Sequence, residues 1–586
     1  MVANRGEIAI RVFRTLRELG IPSVAVYSEV DRDALFVSYA NEAYLLGPGP
    51  AAESYLNVPR ILAICAEADV EAVHPGYGFL AENAGFARAL AEAGVVWIGP
   101  PADAIDAMGS KTRARALMDA AGVPIVPGVT EPVADIGAAR PIAERIGYPV
   151  AVKASAGGGG KGFRVALSPG DLDDAFAGAV REGERFFADG AVYLERYLPE
   201  PRHVEIQVLA DTHGSCIHLG ERDCSVQRRH QKLVEETPSP VVSDDLRRRM
   251  GEASVTAARA VGYTGAGTLE YLVSGEEFFF LEMNTRIQVE HTVTEAVTGL
   301  DLVREQVQVA AGRPLSVTQD EVRARGHAFE CRINAEDASQ RFLPSPARIT
   351  AYREPSGPGV RVDSGVRAGS QIPEIYDPMV AKLIVWDVDR ESARRRMLRA
   401  LSEYVVEGPA TLIPFHRWLL QEDEFIAGGA CHALLARLAD EPTPIPAPDG
   451  MAGAELADRA PGEVPQAERH FTAEVDGRRF EVSLRYDETG RDGAGAPGPP
   501  SRRSRAARAT RAAASAPGDV ATPMQGTVLK VLVEAGQEVV AGDVVCIVEA
   551  MKMENEVATS GGGTVVEVRV AEGQAVQAGE VIAVVS

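Results

Sequence analysis

Lysine is rare in this chain, and the lysines that remain are the first candidates for chemistry. Lysine and arginine together number 60, and only seven of these residues are lysines. A lysine ammonium can lose its proton and be acylated, whereas an arginine guanidinium cannot. Each lysine is therefore a candidate for a role that arginine cannot fill. The seven are Lys111, Lys153, Lys161, Lys232, Lys382, Lys530 and Lys552.

Lys552 stands between two copies of an internal repeat. Residues 527–545 match residues 564–582 at a constant offset of 37 positions, and Lys552 lies in the connecting sequence Glu-Ala-Met-Lys-Met-Glu. Each copy is rich in valine with glycine at its turns, which predicts a small antiparallel sheet. Two such short copies need each other to close a core. We expect a pseudo-symmetric flattened barrel with Lys552 at an exposed hairpin tip, where an enzyme can modify it.

A glycine run follows an apolar strand-like segment that contains Lys153. The run consists of Gly157, Gly158, Gly159 and Gly160, and Lys161 comes next. Glycine lets backbone N–H groups approach phosphate oxygens without obstruction by side chains. The motif is not a Walker A loop, because Gly162 follows Lys161 in place of Ser or Thr. A flexible turn is the alternative; Lys153 and Lys111 favour phosphate binding.

Residues 278–291 begin with an aromatic run and continue with strictly alternating polar residues. The polar residues at even positions are Glu282, Asn284, Arg286, Gln288 and Glu290, and the residues between are mostly apolar. Two carboxylates and an amide, with Glu270 on the preceding strand-like run, suit Mg²⁺ bound with phosphates. A straight strand would span roughly 26 Å, too long for one site. We therefore expect the strand to end near Asn284 and the chain to turn back. A solvated strand face is the less favoured alternative.

A third group of charged residues occupies residues 202–205 and 221–232, and it includes His203, His230 and Lys232. The second segment is too dense in charge to form a core. A solvated loop and a site that faces an anionic substrate are equally compatible with these residues.

Strands and helices must position these candidate residues. In residues 1 to about 108, short apolar runs alternate with helical patterns, which indicates that strands alternate with helices. Such alternation implies a parallel sheet covered by helices. The predicted elements are a helix at 7–19, strands at 23–27, 72–74 and 95–98, and a helix at 86–93.

The rest of the chain divides by composition into further segments. The predicted division is an N-terminal domain at 1–108, an α+β domain with the glycine loop at 109–310, a mixed domain at 311–440, a Pro/Ala-rich linker at 441–468, a hairpin at 469–487, a flexible linker at 488–518, and the repeat domain at 519–586. The hairpin turns at Asp476-Gly477. The 488–518 segment has almost no large apolar residue, which predicts a mobile tether.

Bulk composition excludes several classes of protein. The net charge is -23 and the hydrophobic fraction is 46%, so real cores are expected and a general nucleic-acid binder is not. Six scattered cysteines without a C-x-x-C pair indicate reduced thiols and no zinc site. No apolar run of about 18 residues is present. We expect a cytoplasmic protein that binds neither membrane nor nucleic acid.

Six motifs, in a consistent order, resemble those of the biotin carboxylase family, which belongs to the ATP-grasp superfamily. They lie at residues 3–9, 74–80, 157–162, 228–232, 282–291 and 330–336. Residues 519–586 resemble biotinyl carrier domains, with Ala-Met-Lys-Met around Lys552 as the attachment motif. The resemblance implies an α/β protein with a Rossmann-like N-terminal domain, an ATP-grasp domain and a mixed C-terminal domain, followed by a small all-β biotinyl barrel. It is the arrangement of an acyl-CoA carboxylase α subunit.

The resemblance also implies roles for individual residues. Lys111, Lys153 and Lys161 would hold ATP phosphates, Lys161 through a glycine lid. Glu195, Arg196 and Leu198 match the adenine-contacting stretch, where the family often has lysine at the position of Arg196. His203 and His230 join the cofactor-binding set. Glu270, Glu282 and Asn284 would bind Mg²⁺ or Mn²⁺.

The remaining roles concern the carboxylation chemistry. Arg286, Gln288 and Val289 would cradle bicarbonate, and Glu290 would deprotonate it. Lys232 would assist at the transferring phosphoryl group, and Arg332 would stabilise the biotin enolate. A positive, water-poor pocket is what a developing anion needs.

The expected activity is a C–N-bond-forming ligase, a biotin carboxylase that uses ATP and bicarbonate to carboxylate biotin on Lys552. Expected partners are a carboxyltransferase β subunit, a biotin protein ligase, and a second copy of the carboxylase body within a larger hetero-oligomer. Acetyl-CoA or propionyl-CoA, in fatty acid biosynthesis, is the favoured acceptor; pyruvate or a longer acyl-CoA is the alternative.

Other hypotheses are a carrier with a purely structural ATP-grasp body, an ATP-grasp ligase joining a carboxylate to an amine, and a lipoyl carrier. The methionines that flank Lys552 disfavour the last.

Overall fold

The computed structural model describes most of the chain. The described residues are 1–129, 132–154, 163–187, 190–228, 231–440, 466–475, 478–487, 518–522, 526–550, 553–559, 561–576 and 579–586. None of the helices within these ranges combines the length and the hydrophobicity that a membrane-spanning helix requires. The predicted linkers and the Asp476-Gly477 turn lie largely or wholly outside these residues.

The first region alternates strands and helices as predicted. Its elements are α1 (Gly6–Glu18), β1 (Val24–Ser28), α2 (Leu35–Tyr39), β2 (Glu42–Gly47), α3 (Val58–Glu67), β3 (Ala72–Val73), α4 (Ala84–Glu92), β4 (Val96–Trp97) and α5 (Ala102–Gly109). β1 pairs with β2 and β3 pairs with β4, both in parallel. Val2 forms parallel bridges to both Ala25 and His74, so the N-terminus joins the two pairs.

Asn4 explains why two of the sequence motifs belong together. Its Nδ2 donates hydrogen bonds to the carbonyls of Pro75 and Tyr77, each at 2.7 Å. Gly76 has a φ of 64°, and an added Cβ would lie 2.8 Å from the Asn4 amide nitrogen. Residues 74–80 therefore close against residues 3–9 only with glycine at this position.

The second region contains a small antiparallel sheet covered by helices. Its elements are α6 (Lys111–Ala120), α7 (Ile136–Ile146), β5 (Val150–Ala154), β6 (Phe163–Ala166), α8 (Leu172–Phe187) and β7 (Val192–Arg196). The strand order is β6-β5-β7. Val150, Val152 and Leu194 are fully buried and pack with Ala139, Ala143 and Ala179 of the helices. Val150 and Val152 occupy alternate positions of β5 and face these helices, so Lys153, which follows Val152, lies on the opposite face.

The third region is organised around one large antiparallel sheet. Its elements are β8 (Arg202–Ala210), β9 (Cys216–Arg228), β10 (Gln231–Thr237), α9 (Asp244–Ala260), β11 (Gly265–Ser274), β12 (Glu277–Asn284), α10 (His291–Thr298), α11 (Leu302–Ala310), β13 (His327–Asn334), β14 (Glu336–Asp337), β15 (Leu343–Pro344), β16 (Ala351–Arg353), β17 (Val360–Ser364), β18 (Met379–Asp387), α12 (Arg390–Glu403), β19 (Val405–Glu407), α13 (Ile413–Leu419), α14 (Asp423–Ile426) and α15 (His432–Asp440). The eight strands of the sheet follow the order β12-β11-β8-β9-β10-β13-β18-β17.

This sheet runs across the predicted boundary at residue 310. β10 pairs directly with β13, so strands from 109–310 and from 311–440 share one set of hydrogen bonds. Phe329, Leu383, Phe415 and Phe425 fill the core beneath the C-terminal strands.

The prediction that β12 ends near Asn284 and the chain turns back is confirmed. The turn leads into α10, which ends at Gly299 in the left-handed conformation.

The two strands of the predicted hairpin are present and are longer than expected. β20 (Gln466–Val475) pairs antiparallel with β21 (Arg478–Asp487), in a register that joins Gln466 to Asp487 and Val475 to Arg478.

The C-terminal region contains the pseudo-symmetric barrel. Its strands are β22 (Asp519–Ala521), β23 (Gly526–Val531), β24 (Glu538–Val539), β25 (Val544–Ala550), β26 (Met553–Ala558), β27 (Gly563–Val568), β28 (Ala575–Val576) and β29 (Val581–Val585). β23 and β27 begin at Gly526 and Gly563, which are separated by the repeat offset. Buried valines such as Val528, Val548 and Val565 form its core.

One detail of the barrel prediction is wrong. We expected each repeat copy to form its own sheet, but the two sheets have the orders β22-β29-β27-β24 and β26-β25-β23-β28. Each copy thus contributes a short strand to the sheet of the other. The exchange lets both sheets bury their valine faces against each other, which neither copy could do alone.

Candidate active site

The candidate site lies on one face of the large sheet, where four strands align charged residues in a row. Glu282 of β12 pairs with Glu270 of β11, and Glu270 pairs with Glu205 of β8. Glu205 in turn pairs with Arg222 of β9. Directly opposed residues of an antiparallel pair share a face, and like charges so placed destabilise the sheet. Three carboxylates in register therefore require cations close by.

Lys232 of β10 is one of these cations. Its Nζ lies 2.7 Å from Glu205 Oε2, 2.9 Å from Glu270 Oε1 and 2.6 Å from Glu290 Oε1. Burial acts to lower the pKa of Lys232, but the surrounding carboxylates outweigh burial and raise the pKa well above its usual value. Lys232 is therefore a fixed positive charge in a largely buried position.

The loop that follows β12 places Glu290 close to the row of charged residues on the sheet, in contact with Lys232. Glu290 is 2% exposed and immediately precedes α10. Its Oε1 contacts Lys232, and its Oε2 accepts a hydrogen bond from Arg332 Nη2 at 2.9 Å. Burial alone would raise the pKa of Glu290, but the charges of Lys232, Arg332 and Arg222 hold the pKa well below its usual range. Glu290 is thus ionised at neutral pH and bridges two cations.

Glu235 of β10 orients the guanidinium group of Arg332, which lies on β13. Arg332 Nε donates to Glu235 Oε1 at 2.7 Å. Burial raises the pKa of Glu235 to about 8, against the opposing charge of Arg332. The guanidinium therefore has one buried partner that fixes its plane and one, Glu290, that lies toward the site.

Arg222 of β9, at the end of the row beside Glu205, is fully buried. Its Nε lies 2.5 Å from Glu205 Oε1, and its Nη2 donates to Gln288 Oε1 at 2.8 Å. It also donates to Gln207, Thr294 and Thr268. Arg222 thereby links three strands, the loop after β12 and α10. Its five donors satisfy acceptors that would otherwise be buried without partners.

Glu270 is the centre of the row. Its Oε1 accepts hydrogen bonds from Asn284 Nδ2 at 2.9 Å and Gln288 Nε2 at 2.7 Å, and His203 Nε2 lies 2.7 Å from its Oε2. Burial would raise the pKa of Glu270, but the charge of Lys232 and the contacts with His203 lower it below its ordinary value. The structure therefore brings His203 together with the predicted metal-binding and bicarbonate residues.

The proposed ligand set for Mg²⁺ fits a hard cation. Glu270 and Glu282 face each other across β11 and β12, and Asn284 is two residues beyond Glu282. A cavity of about 200 Å³ is lined by Glu282 and Asn284, together with Met108 and Gly109 at the end of α5. Carboxylate and amide oxygens are the ligands that Mg²⁺ prefers, with phosphate oxygens and waters completing its shell.

Arg286 marks the outer edge of the site. Its Nε donates to Glu82 Oε2 at 2.9 Å and its Nη2 donates to Asn284 Oδ1 at 2.9 Å. Glu82 belongs to the first region, so Arg286 and the backbone N–H of Thr285 tie that region to the loop after β12.

The predicted nucleotide residues lie on and beside the small sheet. Lys153 of β5 forms an ion pair with Glu195 of β7. Arg196 contacts Glu277 at the start of β12, with 3.0 Å between Nη2 and Oε2. Leu198 is buried against Phe279 of β12 and Val126. The small sheet therefore adjoins the end of the large sheet that carries Glu282.

Some predicted site residues cannot be placed. Gly157, Gly158, Gly159, Gly160, Lys161, His230 and Lys552 lie outside the described residues. Lys111 is the first residue of α6 and follows the N-cap residue Ser110. The side chain of Lys111 also lies outside the described part of the chain. For Lys552, β25 ends at Ala550 and β26 begins at Met553, and these two residues pair with each other.

Three residues of the cluster were not assigned a role from sequence: Glu205, Arg222 and Glu235. Two of them, Glu205 and Arg222, lie in the charged segments that were left open between a solvated loop and an anion site. Both residues are 0% exposed and lie within strands β8 and β9, so the solvated loop is excluded. The expectation that the second segment is too dense in charge to form a core is wrong, because its charged side chains have partners inside the sheet, as Arg222 has in Glu205. Glu235 follows Lys232 by three residues, but only the pairing of β10 with β13 reveals its contact with Arg332.

The geometry suits chemistry on small anions. An ionised carboxylate stands between two buried cations, beside oxygen ligands for a divalent cation. Fixed cations in a poorly hydrated site stabilise negative charge that develops during phosphoryl or carboxyl transfer. The carboxylate provides a base within reach of an anion held by the same cations.

Four family models match separate segments of the chain and leave residues 438–517 unmatched. The biotin carboxylase N-terminal domain matches residues 1–105, and the ATP-binding domain of the carbamoyl-phosphate synthase L chain matches 110–318. The biotin carboxylase C-terminal domain matches residues 330–437, and a model described as biotin-requiring enzyme matches 518–585.

Individual relatives agree with these models. The biotin-dependent acyl-coenzyme A carboxylase alpha3 subunit of Mycobacterium leprae is 45% identical over 95% of this chain and 93% of the relative. A pyruvate carboxylase subunit of Methanothermobacter thermautotrophicus is 53% identical over 73% of this chain and 87% of the relative. The biotin carboxylase domain dimer of the Hydrogenobacter thermophilus 2-oxoglutarate carboxylase, solved with MgADP, ADP and bicarbonate, is 45% identical, has a TM-score of 0.68, and covers 75% of this chain and 98% of that one.

Proposed function

Because this chain belongs to the biotin carboxylase family, as a member that also carries a biotinyl carrier domain, we propose that it carboxylates a biotin attached to its own Lys552. The reaction uses ATP and bicarbonate. The carboxylated carrier then serves a separate carboxyltransferase subunit, which transfers the carboxyl group to an acyl-CoA.

The observation that carries this proposal is the position of Glu290 between Lys232 and Arg332. Bicarbonate bound beside the two cations would release its proton to Glu290. The resulting carbonate attacks the γ-phosphoryl group of ATP, ADP leaves, and carboxyphosphate forms. Lys232 would stabilise charge on the transferring phosphoryl group. Carboxyphosphate would then pass its carboxyl group to biotin and release phosphate, which takes the displaced N–H proton. Arg332 would stabilise the negative charge on biotin during this transfer.

The other site residues hold the substrates. Arg286, Gln288 and Val289 cradle bicarbonate, since they lie on the loop that ends at Glu290. Magnesium or manganese, held by Glu270, Glu282 and Asn284, would neutralise charge on the ATP phosphates. The remaining residues assigned to the nucleotide and cofactor are Lys111, Lys153, Gly157, Gly158, Gly159, Gly160, Lys161, Glu195, Arg196, Leu198, His203 and His230.

An acyl-CoA, with acetyl-CoA or propionyl-CoA favoured, is the proposed final acceptor. The support is the similarity to an acyl-coenzyme A carboxylase subunit that spans both the carboxylase body and the carrier. A pyruvate acceptor is the second candidate, supported by the higher identity to a pyruvate carboxylase subunit over the body alone. The proposed partners are a carboxyltransferase β subunit, a biotin protein ligase and a second copy of the carboxylase body. An assay of the native complex with a panel of small acyl-CoAs and pyruvate separates the two acceptors.

The direct test of the proposed activity is ADP release by the purified chain. We expect ADP release to depend on bicarbonate and to rise when free biotin is added as a carboxyl acceptor. ADP release that is independent of bicarbonate but dependent on an amine would instead favour an ATP-grasp ligase that joins a carboxylate to an amine.

Arg332→Ala is expected to damage carboxylation of biotin more than ATP cleavage. Loss of one charge-stabilising donor typically costs about 100-fold or more in rate, and the biotin enolate is the anion that Arg332 stabilises. ADP release should fall far less, because Lys232 still holds Glu290. Parallel assays of ADP and of carboxylated biotin measure the two effects, with Arg395→Ala on the exposed face of α12 as control. Equal, mild losses in both assays would contradict the assignment.

The chain alone is expected to carboxylate no acyl-CoA. After the carboxylase body, its only matched domain is the carrier, and the transfer step needs a catalytic domain of its own. Labelled bicarbonate should enter acyl-CoA only after a carboxyltransferase β subunit is added. Incorporation by the rigorously purified chain would refute this.

A further inference from the structure

Lys382 is a buried lysine that takes no direct part in the proposed chemistry. It lies on β18, opposite Arg332 of β13, and its side chain is 0% exposed. Its ammonium is thus next to the active site, one strand beyond Arg332, on the same face of the sheet.

The ammonium makes one short contact among the described residues. Lys382 Nζ donates a hydrogen bond of 2.5 Å to the carbonyl of Val289. Two buried carboxylates lie farther away, at 3.9 Å for Glu7 Oε2 and 4.0 Å for Glu330 Oε2. These distances exceed hydrogen-bonding range. The directional interaction of Lys382 is therefore with the backbone just before Glu290.

Neighbouring carbonyls of the same loop are also held by side chains. His291 Nδ1 lies 2.7 Å from the carbonyl of Gln288, and because a carbonyl can only accept, Nδ1 carries the proton. Burial lowers the pKa of His291 to about 3, so the ring is neutral. Arg286 Nη1 donates to the carbonyl of Ile287 at 3.2 Å. The carbonyls of three consecutive residues before Glu290 thus each accept a hydrogen bond from a side chain.

The charge on Lys382 is unfavourable for packing alone. Burying an ammonium carries a large desolvation penalty, and an apolar side chain of similar volume is often as stabilising in a core. The carbonyl of Val289, in contrast, needs a strong donor to hold one orientation. The planar trans peptide then fixes the N–H of Glu290 on the opposite side and so sets where the Glu290 side chain begins.

We propose that Lys382 is a positioning residue, which orients the Val289–Glu290 peptide so that the base and the bicarbonate-binding loop keep their geometry. The proposal rests on the proposed function, in which this loop binds bicarbonate. It predicts a selective defect: bicarbonate use should suffer, and ATP binding should not.

The test is steady-state kinetics of bicarbonate-dependent ADP release by Lys382→Met in the full chain. We expect the KM for bicarbonate to rise at least about ten-fold, since a hydrogen bond to a charged donor is lost and small displacements of reacting groups strongly reduce rates. The KM for ATP should stay within about two-fold of the unchanged protein, because Lys153 and the small sheet are not altered. The conservative variant Lys382→Arg should show a smaller defect than Lys382→Met.

A second pair of variants separates positioning from charge balance. Lys382→Met removes the cation that lies near both Glu7 and Glu330, whereas the double variant Glu7→Gln/Lys382→Met removes one positive and one negative charge and so restores the net charge of this cluster. The bicarbonate defect should persist in the double variant and be absent from Glu7→Gln alone. Val385→Ala, on the opposite face of β18, controls for simple destabilisation and should lower the melting temperature without raising the bicarbonate KM.

Two results would overturn the proposal. One is a folded double variant with an unchanged bicarbonate KM. The other is failure of both Lys382 variants to fold, which would assign Lys382 to the stability of the sheet. Failure of the proposed function is distinguishable from both, because the unchanged protein would then itself show no bicarbonate-dependent ADP release.

Discussion

Glu290→Gln is expected to abolish bicarbonate-dependent ATP cleavage while ATP binding remains. The substitution keeps the size of the side chain but removes the base and the negative charge between Lys232 and Arg332. General-base catalysis typically contributes about 100- to 10,000-fold, so ADP release should fall at least about 100-fold. ATP affinity should change little, because Lys153, Glu195 and Arg196 of the proposed nucleotide site lie on β5 and β7 and not on the loop that carries Glu290. ADP release and equilibrium binding of ATP measure the two quantities.

The matched control is Glu252→Gln on the exposed surface of α9, where Glu252 pairs with Arg248. It removes the same charge from an exposed position outside the site and should leave ADP release unchanged. An active Glu290→Gln variant would show that another group takes the proton of bicarbonate. Loss of ATP binding in that variant would instead indicate that Glu290 supports the structure of the nucleotide site.

Lys552→Arg is expected to eliminate covalent biotin and with it all coupled carboxylation of an acyl-CoA. Arginine keeps the positive charge but cannot form the amide with biotin. Intact mass should lose the biotin increment, and carboxylation in the complex with a β subunit should fall to background. ADP release with free biotin should persist, because the carboxylase body is unchanged.

Lys530→Arg in β23 of the same barrel provides the control, since it makes the same exchange at a lysine outside the attachment motif. It should retain biotin and coupled activity. If avidin still binds Lys552→Arg, the attachment site lies elsewhere.

Local sequence pattern predicted the elements that depend on local chemistry. The alternation of residues 281–290 and the length limit on a straight strand predicted the end of β12 at Asn284. The valine-rich repeat predicted a pseudo-symmetric barrel. In both cases the signal lies within a short stretch, because side-chain alternation and turn residues are properties of neighbouring positions.

Contacts between distant strands were not predictable in the same way. Glu205, Arg222 and Glu235 complete the site only because β8, β9, β10 and β13 are adjacent in one sheet. Nothing within a single segment fixes that order. The exchange of short strands between the repeat copies was missed for the same reason: pairing partners are chosen by the burial of whole faces, which a repeat offset alone does not describe.

Transfer of label from bicarbonate to the carrier is the most direct measure of carboxylation of the biotin on Lys552. The biotinylated chain is incubated with radioactive bicarbonate, ATP and Mg²⁺, and the protein-bound label is mapped to peptides. We expect acid-labile label on the peptide that contains Lys552, dependent on ATP and absent in Glu290→Gln. A biotinylated chain that hydrolyses ATP but acquires no such label, or acquires it on another peptide, would show that biotin on Lys552 is not the carboxyl acceptor.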